Sequence, residues 1–380
     1  MVDASINPVL DLHRQAEGEL QPYGDIEIVS TFGEPQAEYA AIRKGCGMMD
    51  WPQRGILELA GKDRLSFLNN LLTNQTWNKE TKTGLSAGEG VYAFFLNTKG
   101  RIIADLNVLE RGDRTWLEMD ARLVEIVRAA FDKYLFVEQV KMTARVGELH
   151  EIALFGPGAA DILKQAAGVD VSGLGPLASL PAKLQGTDAT IWRDDVTGVE
   201  GGYILIVPTD VARALWMHLL RDYGAADQLG KRRLRPVGWA AFNATRIEAG
   251  RALYGIDFDE STLPAESGEM DRAVNLTKGC YLGQEIVARM HARGQVAKQL
   301  VGFKMLDDSL PLAGAKIFDD QGNEVGGVTS STPSPMLSNV GIGLGYVKRP
   351  FVSPGTIVRI PAEGQLRQAL VREKSGILAG

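Results

Sequence analysis

One cysteine, Cys280, has the residue type and the setting that best suit chemistry in this chain. It lies in residues 278–294, KGCYLGQEIVARMHARG, directly ahead of a helical pattern that begins near Gly283. The free N–H groups and positive dipole end of such a helix point back toward the thiol, and Lys278 adds a cation. Both effects favour a thiolate, the nucleophilic and metal-binding form of cysteine. The alternative is a small cysteine buried in a turn, which is the usual case, but the polar neighbours favour function.

Composition and charge indicate a globular protein with room for two or three domains. The chain has 380 residues, 45% of them apolar and 23% charged, with a net charge of −6, which argues against a protein that coats nucleic acid. Two cysteines do not form a disulfide framework and fit a reducing compartment. No apolar run reaches the length of a membrane span, and the acidic N-terminal segment lacks signal-peptide features. We therefore expect a cytoplasmic protein with no membrane partner.

The order of predicted elements indicates an α+β fold with antiparallel sheets. The predicted strands lie at 55–60, 90–96, 101–110, 116–119, 150–155, 190–193 and 202–208. The predicted helices lie at 38–44, 63–72, 122–134, 156–163, 210–220 and 236–250. Consecutive strands without an intervening helix favour antiparallel pairing over a doubly wound parallel sheet. A long acidic loop follows at 252–277, and long loops in a compact fold are often functional.

The sequence pattern changes after Gly294. Short strands alternate with turn residues such as Asp320-Gln-Gly322 and Pro354-Gly355. This pattern predicts a small closed or sandwich-like β domain. The four histidines show no metal-ligand spacing, so no resident metal site is predicted.

The cysteine segment resembles the signature of the YgfZ-type proteins, folate-binding relatives of the glycine-cleavage T-protein that support iron–sulfur cluster assembly or repair. The matching positions are Lys278, Gly279, Cys280, Tyr281, Gly283, Gln284, Glu285 and Arg289. The T-protein itself lacks this motif. The resemblance implies a central role for Cys280, with Lys278 holding it as thiolate. It groups the three polar residues of the following helix, Gln284, Glu285 and Arg289, with the folate-binding residues.

A likeness to the T-protein family extends over nearly the whole chain. Residues 244–250, ATRIEAG, and 253–255, LYG, resemble its R-L-E-A-G…L-Y-G segment, which makes Arg246, Glu248 and Tyr254 candidate folate contacts. The resemblance implies a folate-binding region over 1–290, followed by a β-barrel over 295–380. The first region would contain two ferredoxin-like α+β units, at about 1–145 and 146–290, which can interleave. Together they would form a cloverleaf around a funnel that holds tetrahydrofolate or a one-carbon derivative.

Two departures from the T-protein pattern affect its carboxylates. The family has two adjacent aspartates where this chain reads Ala104-Asp105, so Asp105 is the remaining candidate for the catalytic acid. The family also has two glutamates around a glycine–aromatic pair near the pterin. Here Glu200 occupies the first position and Ile204 the second. A carboxylate offers two acceptors to the 2-amino and ring N–H donors of a pterin, so Glu200 is the candidate for that contact.

Three functions remain, and the first of them is the leading hypothesis. The first is a tetrahydrofolate-binding accessory protein of iron–sulfur cluster assembly, in which Cys280 shares a cluster with client or assembly proteins because a cluster normally takes four thiolates. The second is a folate-dependent aminomethyltransferase or demethylase, with Asp105 as base or electrostatic anchor. The third is a folate-binding scaffold without turnover.

Overall fold

The helices and strands follow the predicted α+β plan. The computed structural model describes residues 7–228, 230–293 and 296–378. The α-helices there are α1 (Leu10–Gln15), α2 (Pro35–Lys44), α3 (Arg64–Leu71), α4 (Val124–Asp132), α5 (Ala159–Ala167), α6 (Thr209–Tyr223), α7 (Trp239–Glu248), α8 (Met270–Ala273) and α9 (Gln284–Arg293). The strands of the first half are β1 (Glu19–Tyr23), β2 (Ile26–Thr31), β3 (Gly47–Asp50), β4 (Arg54–Ala60), β5 (Trp77–Asn78), β6 (Thr83–Gly84), β7 (Gly90–Leu96), β8 (Ile102–Glu110), β9 (Arg114–Asp120), β10 (Lys141–Ala144) and β11 (Leu149–Phe155). The later strands are β12 (Ser179–Leu184), β13 (Thr187–Arg193), β14 (Tyr203–Pro208), β15 (Arg235–Pro236), β16 (Lys298–Met305), β17 (Lys316–Phe318), β18 (Glu324–Ser334), β19 (Val340–Lys348), β20 (Ile357–Ala362) and β21 (Gln365–Arg372).

The chain divides into two units that are discontinuous in sequence. The first unit contains the residues up to Ala93, Leu106–Asp195 and Val199–Phe242. The second contains Phe94–Asp105, Val196–Gly198 and the residues from Asn243 onward. The tip of the β7–β8 hairpin therefore belongs to the second unit, together with the segment that carries Cys280.

Strands between residues 47 and 236 form two large sheets, in which the order of strands in space differs from their order in the chain. One has the strand order β10-β4-β9-β8-β7, and the other has the order β12-β13-β14-β11-β3-β15. Most of their pairs are antiparallel, as in β4–β9 and β11–β14, whereas the two-residue β15 runs parallel to β3. Strand β3 precedes β4 in the chain but belongs to the other sheet, so the two sheets interleave in sequence. The predicted α+β class with antiparallel sheets is confirmed.

A closed barrel forms the C-terminal part of the second unit. Its strands follow the order β16-β19-β18-β17-β20-β21. Alternate side chains point inward, and Val301, Phe303, Ile360 and Val371 are among the buried residues of its core. The barrel predicted from the turn-punctuated sequence is confirmed.

Local details differ from the sequence-based expectations in two places. Helix α7 begins at Trp239, not at Pro236, because Arg235–Pro236 extends along β3 as strand β15. The acidic loop at 252–277 is not wholly irregular, since it contains a 3₁₀ turn at Pro264–Glu266 and the short helix α8. No helix in the described ranges is long and apolar enough to cross a membrane.

One face of the second sheet packs against helices, and the opposite face carries an acidic side chain. Ile152 and Leu154 of β11, with Leu205 and Val207 of β14, are buried in a cluster with residues of α5 and α6. Because side chains alternate along a strand, Glu151 and Ala153 lie on the opposite face. That face therefore presents an acidic residue in the middle of an apolar strand.

A buried carboxylate ties the N-terminal helix to this sheet. Asp50, at the end of β3, accepts hydrogen bonds from Asn7 Nδ2 at 2.6 Å and contacts His13 Nε2 at 2.9 Å and His150 Nε2 at 2.7 Å. Both histidines are almost fully buried. Burial raises the pKa of Asp50, but the neighbouring His150 and His13 outweigh it and leave this pKa below its usual range.

Replacing Asp50 by Asn is expected to lower the free energy of unfolding by about 2–4 kcal/mol near neutral pH, because the two imidazoles lose a buried charged acceptor. The folded-state pKa is depressed, so the carboxylate contributes fully above its unfolded pKa of about 3.9 and less as the pH falls toward the folded value. The difference between wild type and variant should therefore shrink by about 1 kcal/mol near pH 3. Urea unfolding at both pH values measures it, with Asp132→Asn on the exposed end of α4 as control. An unchanged difference at low pH would contradict this account.

Candidate functional site

The segment around Cys280 is a tight turn that leads directly into α9. Cys280 is exposed, whereas the other cysteine, Cys46, is buried. Asn275 organises the turn, because its Oδ1 accepts hydrogen bonds from the backbone N–H groups of Thr277 and Lys278, both at 2.9 Å. Helix α9 begins at Gln284, so the predicted helix behind the cysteine is confirmed. The thiol is therefore accessible from solvent, as a reactive cysteine requires.

Two glycines allow this helix to pack on the β7–β8 hairpin. Gly283 has φ +81°, and a Cβ on it would lie 3.0 Å from the carbonyl oxygen of Asn97. Gly100, in the hairpin turn, has φ +72°, and a Cβ there would lie 2.7 Å from Cβ of Ile286. Only glycine fits both the backbone conformation and the space. The hairpin that leads into the strand of Asp105 and the start of α9 are thus held in backbone contact.

The side chain of Lys278 packs against an aromatic ring. Its Nζ lies 5.0 Å from the ring centroid of Tyr281, and both side chains are buried. This is a cation–π arrangement. Burial raises the pKa of Tyr281 to about 12, so its hydroxyl stays neutral. The structure thus explains why Lys278 and Tyr281 occur together, and an effect of Lys278 on the thiol stays a prediction.

The other predicted residues of α9 lie at or near the surface. Gln284 is half-buried, and Glu285 and Arg289 are exposed. Their side chains are available to a ligand or a partner, and their folate-binding role stays a prediction.

Arg246 forms the centre of a buried network within the second unit. Its Nη1 donates to Asp257 Oδ2 at 2.5 Å, and both side chains are fully buried. The other carboxylate oxygen of Asp257 accepts from Thr329 Oγ1 at 2.7 Å and Ser330 Oγ at 2.6 Å, both on β18. Helix α7, the following loop and the barrel are therefore joined through one carboxylate. The structure gives Arg246 an internal partner, and direct contact with folate stays a prediction.

Glu248 and Tyr254 also have protein neighbours in this unit. Glu248 is buried, and its Oε1 accepts a hydrogen bond from Ser334 Oγ at 2.5 Å. Tyr254 packs edge-on against Phe258, whose ring in turn packs against Phe94. Tyr254 keeps a partly exposed ring that a pterin could stack on, whereas Glu248 is held inside the unit.

Asp105 remains a buried acid on β8. Its side chain is 8% exposed, and the neighbouring Ala104 is fully buried. Ile102, three residues earlier, donates its backbone N–H to the carbonyl of Thr262 at 3.0 Å, so the acidic loop fixes this end of the strand. The missing aspartate of the family pair is thus replaced by the methyl group of Ala104, which has no access to solvent.

Two clefts lie in the second unit near these residues. One has a volume of about 510 Å³ and a charged lining that includes Arg101, Lys298, Glu260 and Glu266. The other has a volume of about 520 Å³ and is lined by residues of the acidic loop and by Met290 and His291 of α9. Both volumes are typical of small-molecule sites. In the described ranges, no group of three or more His, Cys, Asp or Glu side chains is arranged to hold a metal ion.

The predicted pterin acid, Glu200, lies at the surface of the first unit. The side chain of Glu200 is 88% exposed, and its nearest cation is Arg193, with Nη2 3.8 Å from Oε1. Ile204, at the position of the family's second glutamate, is buried on β14. The carboxylate of Glu200 is therefore open to solvent, and its contact with a pterin stays a prediction.

Sequence reasoning missed a group of buried polar residues in the same unit. Glu151 is 3% exposed, and Gln53 and Trp192 are each 2% exposed. Both carboxylate oxygens of Glu151, both amide atoms of Gln53 and the indole nitrogen of Trp192 lack a hydrogen-bond partner among the described residues. The available signal was an acid inside the apolar run 150–155, HEIALF, but its lack of partners depends on strands that are distant in sequence.

Comparison with known proteins gives the same family over both parts of the chain. Residues 9–278 match the GCVT N-terminal domain, and residues 298–375 match the glycine cleavage T-protein C-terminal barrel domain. The chain is 28% identical to the aminomethyltransferase of Bacillus subtilis (strain 168), over 97% of this chain and 96% of that protein. It is also 28% identical to the aminomethyltransferase of Desulforamulus reducens, over 98% of both proteins. The crystal structure of glycine cleavage system aminomethyltransferase T from Bartonella henselae superposes with a TM-score of 0.85, at 25% identity and covering 97% of this chain and 96% of that one.

The two cysteines are expected to differ sharply in reactivity. Cys280 is exposed, whereas burial raises the pKa of Cys46 to about 12, so only Cys280 should be alkylated in the native protein. Mass spectrometry after brief treatment with iodoacetamide should show one adduct, at Cys280, and a second only in denaturant. Cys280→Ser serves as the control and should take up no reagent when native. Rapid native labelling of Cys46 would contradict the assignment.

Removing Asp257 should destabilise the second unit through its buried partner. Asp257→Ala is expected to lower the free energy of unfolding by about 3–5 kcal/mol, because Arg246 is left as an unpaired buried cation. Glu260→Ala, in the same loop but exposed, is the matched control and should change it by less than about 0.5 kcal/mol. The double variant Arg246→Met/Asp257→Leu should be less destabilised than Asp257→Ala, since no charge remains buried. Denaturant unfolding decides, and equal stability of Asp257→Ala and wild type would refute the network.

Proposed function

Because the chain belongs to the glycine cleavage T-protein family, we propose that it binds tetrahydrofolate or one of its one-carbon derivatives. The observation that carries this proposal is the match of both family domains across residues 9–278 and 298–375, with a common fold over nearly the full length. Bound tetrahydrofolate supplies secondary amine nitrogens that accept a one-carbon unit.

The first unit contains groups that fit a pterin ring. A carboxylate, a carboxamide and an indole N–H there, from Glu151, Gln53 and Trp192, are buried without partners among the described residues. Buried polar groups normally have hydrogen bonds, so an unsatisfied set indicates a missing partner with several donors and acceptors. A pterin has both on one planar ring.

The first candidate activity is transfer of an aminomethyl or methyl group to tetrahydrofolate. It is supported by the relatives that match this chain over nearly its full length, which are aminomethyltransferases. In this reaction Asp105 would hold or accept the proton of the attacking amine. Burial on β8 keeps this carboxylate out of bulk water, where its charge acts more strongly on a reacting nitrogen.

The second candidate is an accessory function in iron–sulfur cluster assembly or repair, as in the YgfZ-type proteins. The specific observation in its favour is the exposed thiol of Cys280 in front of α9, within the motif that the T-protein lacks. The replacement of one catalytic acid by Ala104 points the same way. Since clusters normally take four thiolates, Cys280 would act with thiols of a client or assembly protein.

Two substitutions separate these candidates. For one-carbon transfer, Asp105→Asn should lower the rate of methylenetetrahydrofolate formation by about 100-fold, while Cys280→Ser stays within about twofold of wild type. The assay mixes protein, tetrahydrofolate and an aminomethylated carrier, and follows the folate product. We expect this pattern, with tetrahydrofolate binding by calorimetry intact in both variants.

The opposite pattern identifies the accessory function. Cells that lack the protein would then regain iron–sulfur enzyme activity with Asp105→Asn but not with Cys280→Ser. Turnover in neither assay, with folate binding intact and indifferent to both substitutions, would leave a folate-binding scaffold. Absence of folate binding by the wild-type protein would refute the proposed function in all three forms.

A further inference from the structure

The buried acid Glu151 occupies a position next to the one where this chain has lost a family glutamate. On the paired strands β11 and β14, Ala153 lies opposite Ile204 and Glu151 lies opposite Ile206. Glu151 and Ile204 are therefore diagonal neighbours on one face of the sheet, with Cβ atoms about 7–8 Å apart in such pairs. A glutamate side chain is long enough to bring its carboxylate over the adjacent position.

The surroundings of Glu151 leave its oxygens unsatisfied. On β9, the carboxylate of Glu118 accepts two hydrogen bonds from Arg54 and one from Asn107 Nδ2 at 2.7 Å, and its charge repels an ionised Glu151. The guanidinium is thus committed to Glu118, and neither oxygen of Glu151 has a donor among the described residues. A carboxyl group buried in this way is destabilising, so its presence needs an explanation outside the folded chain itself.

We propose that Glu151 replaces the lost glutamate and accepts the 2-amino and N3–H donors of the pterin ring, with Trp192, which lies opposite Ile204 on β13, donating its indole N–H to the same ring. This inference rests on the proposed function, because it takes tetrahydrofolate as the ligand. It names residues of this chain that the family pattern does not, since the pattern pointed to the exposed Glu200. Two parallel donors on one carboxylate form a bidentate pair, the strong form of such contacts.

Binding through this carboxylate must be coupled to a proton. Burial and the charges of Glu118 and Asp194 raise the pKa of Glu151 well above its usual range, and Arg54 offsets part of that effect. This raised pKa favours the protonated form of Glu151 before the ligand binds. The pterin donors require the ionised form, so the proton passes to the solvent as the two hydrogen bonds form, and affinity should rise with pH.

The first test compares two glutamates by calorimetry with tetrahydrofolate under anaerobic conditions. Glu151→Gln should weaken binding by at least about tenfold, because the amide presents a donor where the pterin also presents one. Glu200→Gln, the same change at the exposed position, should stay within about twofold. Equal affinity of Glu151→Gln and wild type would overturn the inference while leaving the proposed function in place. No binding by wild type would instead refute the proposed function.

The second test needs no variant. Titrating wild-type protein with tetrahydrofolate in two buffers of different ionisation enthalpy counts the protons released on binding. We expect a net release of protons on binding, and an affinity that rises with pH in the range where free Glu151 is protonated. Binding without proton release, at an affinity independent of pH, would overturn the inference.

Stability measurements show whether Glu151→Gln weakens binding directly or by disturbing the fold. Removing an acid that lacks internal partners should not harm the fold, so Glu151→Gln should melt at the same temperature as wild type or a few degrees higher. Trp192→Phe keeps the aromatic ring and removes only its N–H, and should weaken folate binding by a few-fold. A large loss of stability in Glu151→Gln would mean that the carboxylate serves the fold, which would also overturn the inference.

Discussion

The need of every buried carboxylate for hydrogen-bond donors is the constraint on which this structure depends. Asp257 meets it with Arg246 and the hydroxyls of Thr329 and Ser330, and in doing so joins a helix, a loop and the barrel. Asp50 meets it with two imidazoles and an amide. Each of these charges is expensive to bury, and each is affordable only because elements distant in sequence supply its donors. Glu151 differs from these two, because neither of its carboxylate oxygens has a donor among the described residues.

Features that depend on local sequence were predictable. The helix behind Cys280 follows from apolar spacing and from Gly283, and the β7–β8 turn follows from Asn97-Thr-Lys-Gly100. The barrel follows from short strands with regular turn residues. These signals lie within a few residues of each other, so no knowledge of long-range pairing is needed to read them.

Features that depend on long-range pairing were not predictable. Arg246 was chosen from a family motif, but its partner Asp257 and the barrel hydroxyls that complete the network are defined only by the folded second unit. Glu200 and Glu151 also show that a local sequence pattern does not reveal how a side chain is surrounded in the fold. A motif made Glu200 a candidate pterin contact without indicating that it is exposed, and nothing in the run HEIALF indicates which face of β11 the acid occupies.

Losses at two family positions need not remove folate binding, because recognition and catalysis use carboxylates differently. Recognition needs two acceptors in a dry, fixed place, and Glu151 can supply them from the strand beside Ile204. Proton handling needs an ionised group close to the reacting nitrogen, and Asp105, beside a buried alanine, is the candidate that our proposed function assigns to it. Under the proposed function, such a chain still binds tetrahydrofolate. Its reaction then depends on one acid and an exposed thiol in place of two acids. If both proposals hold, an acceptor on β11 in place of one on β14 preserves the ligand, and Cys280 separately changes the chemistry that is carried out with it.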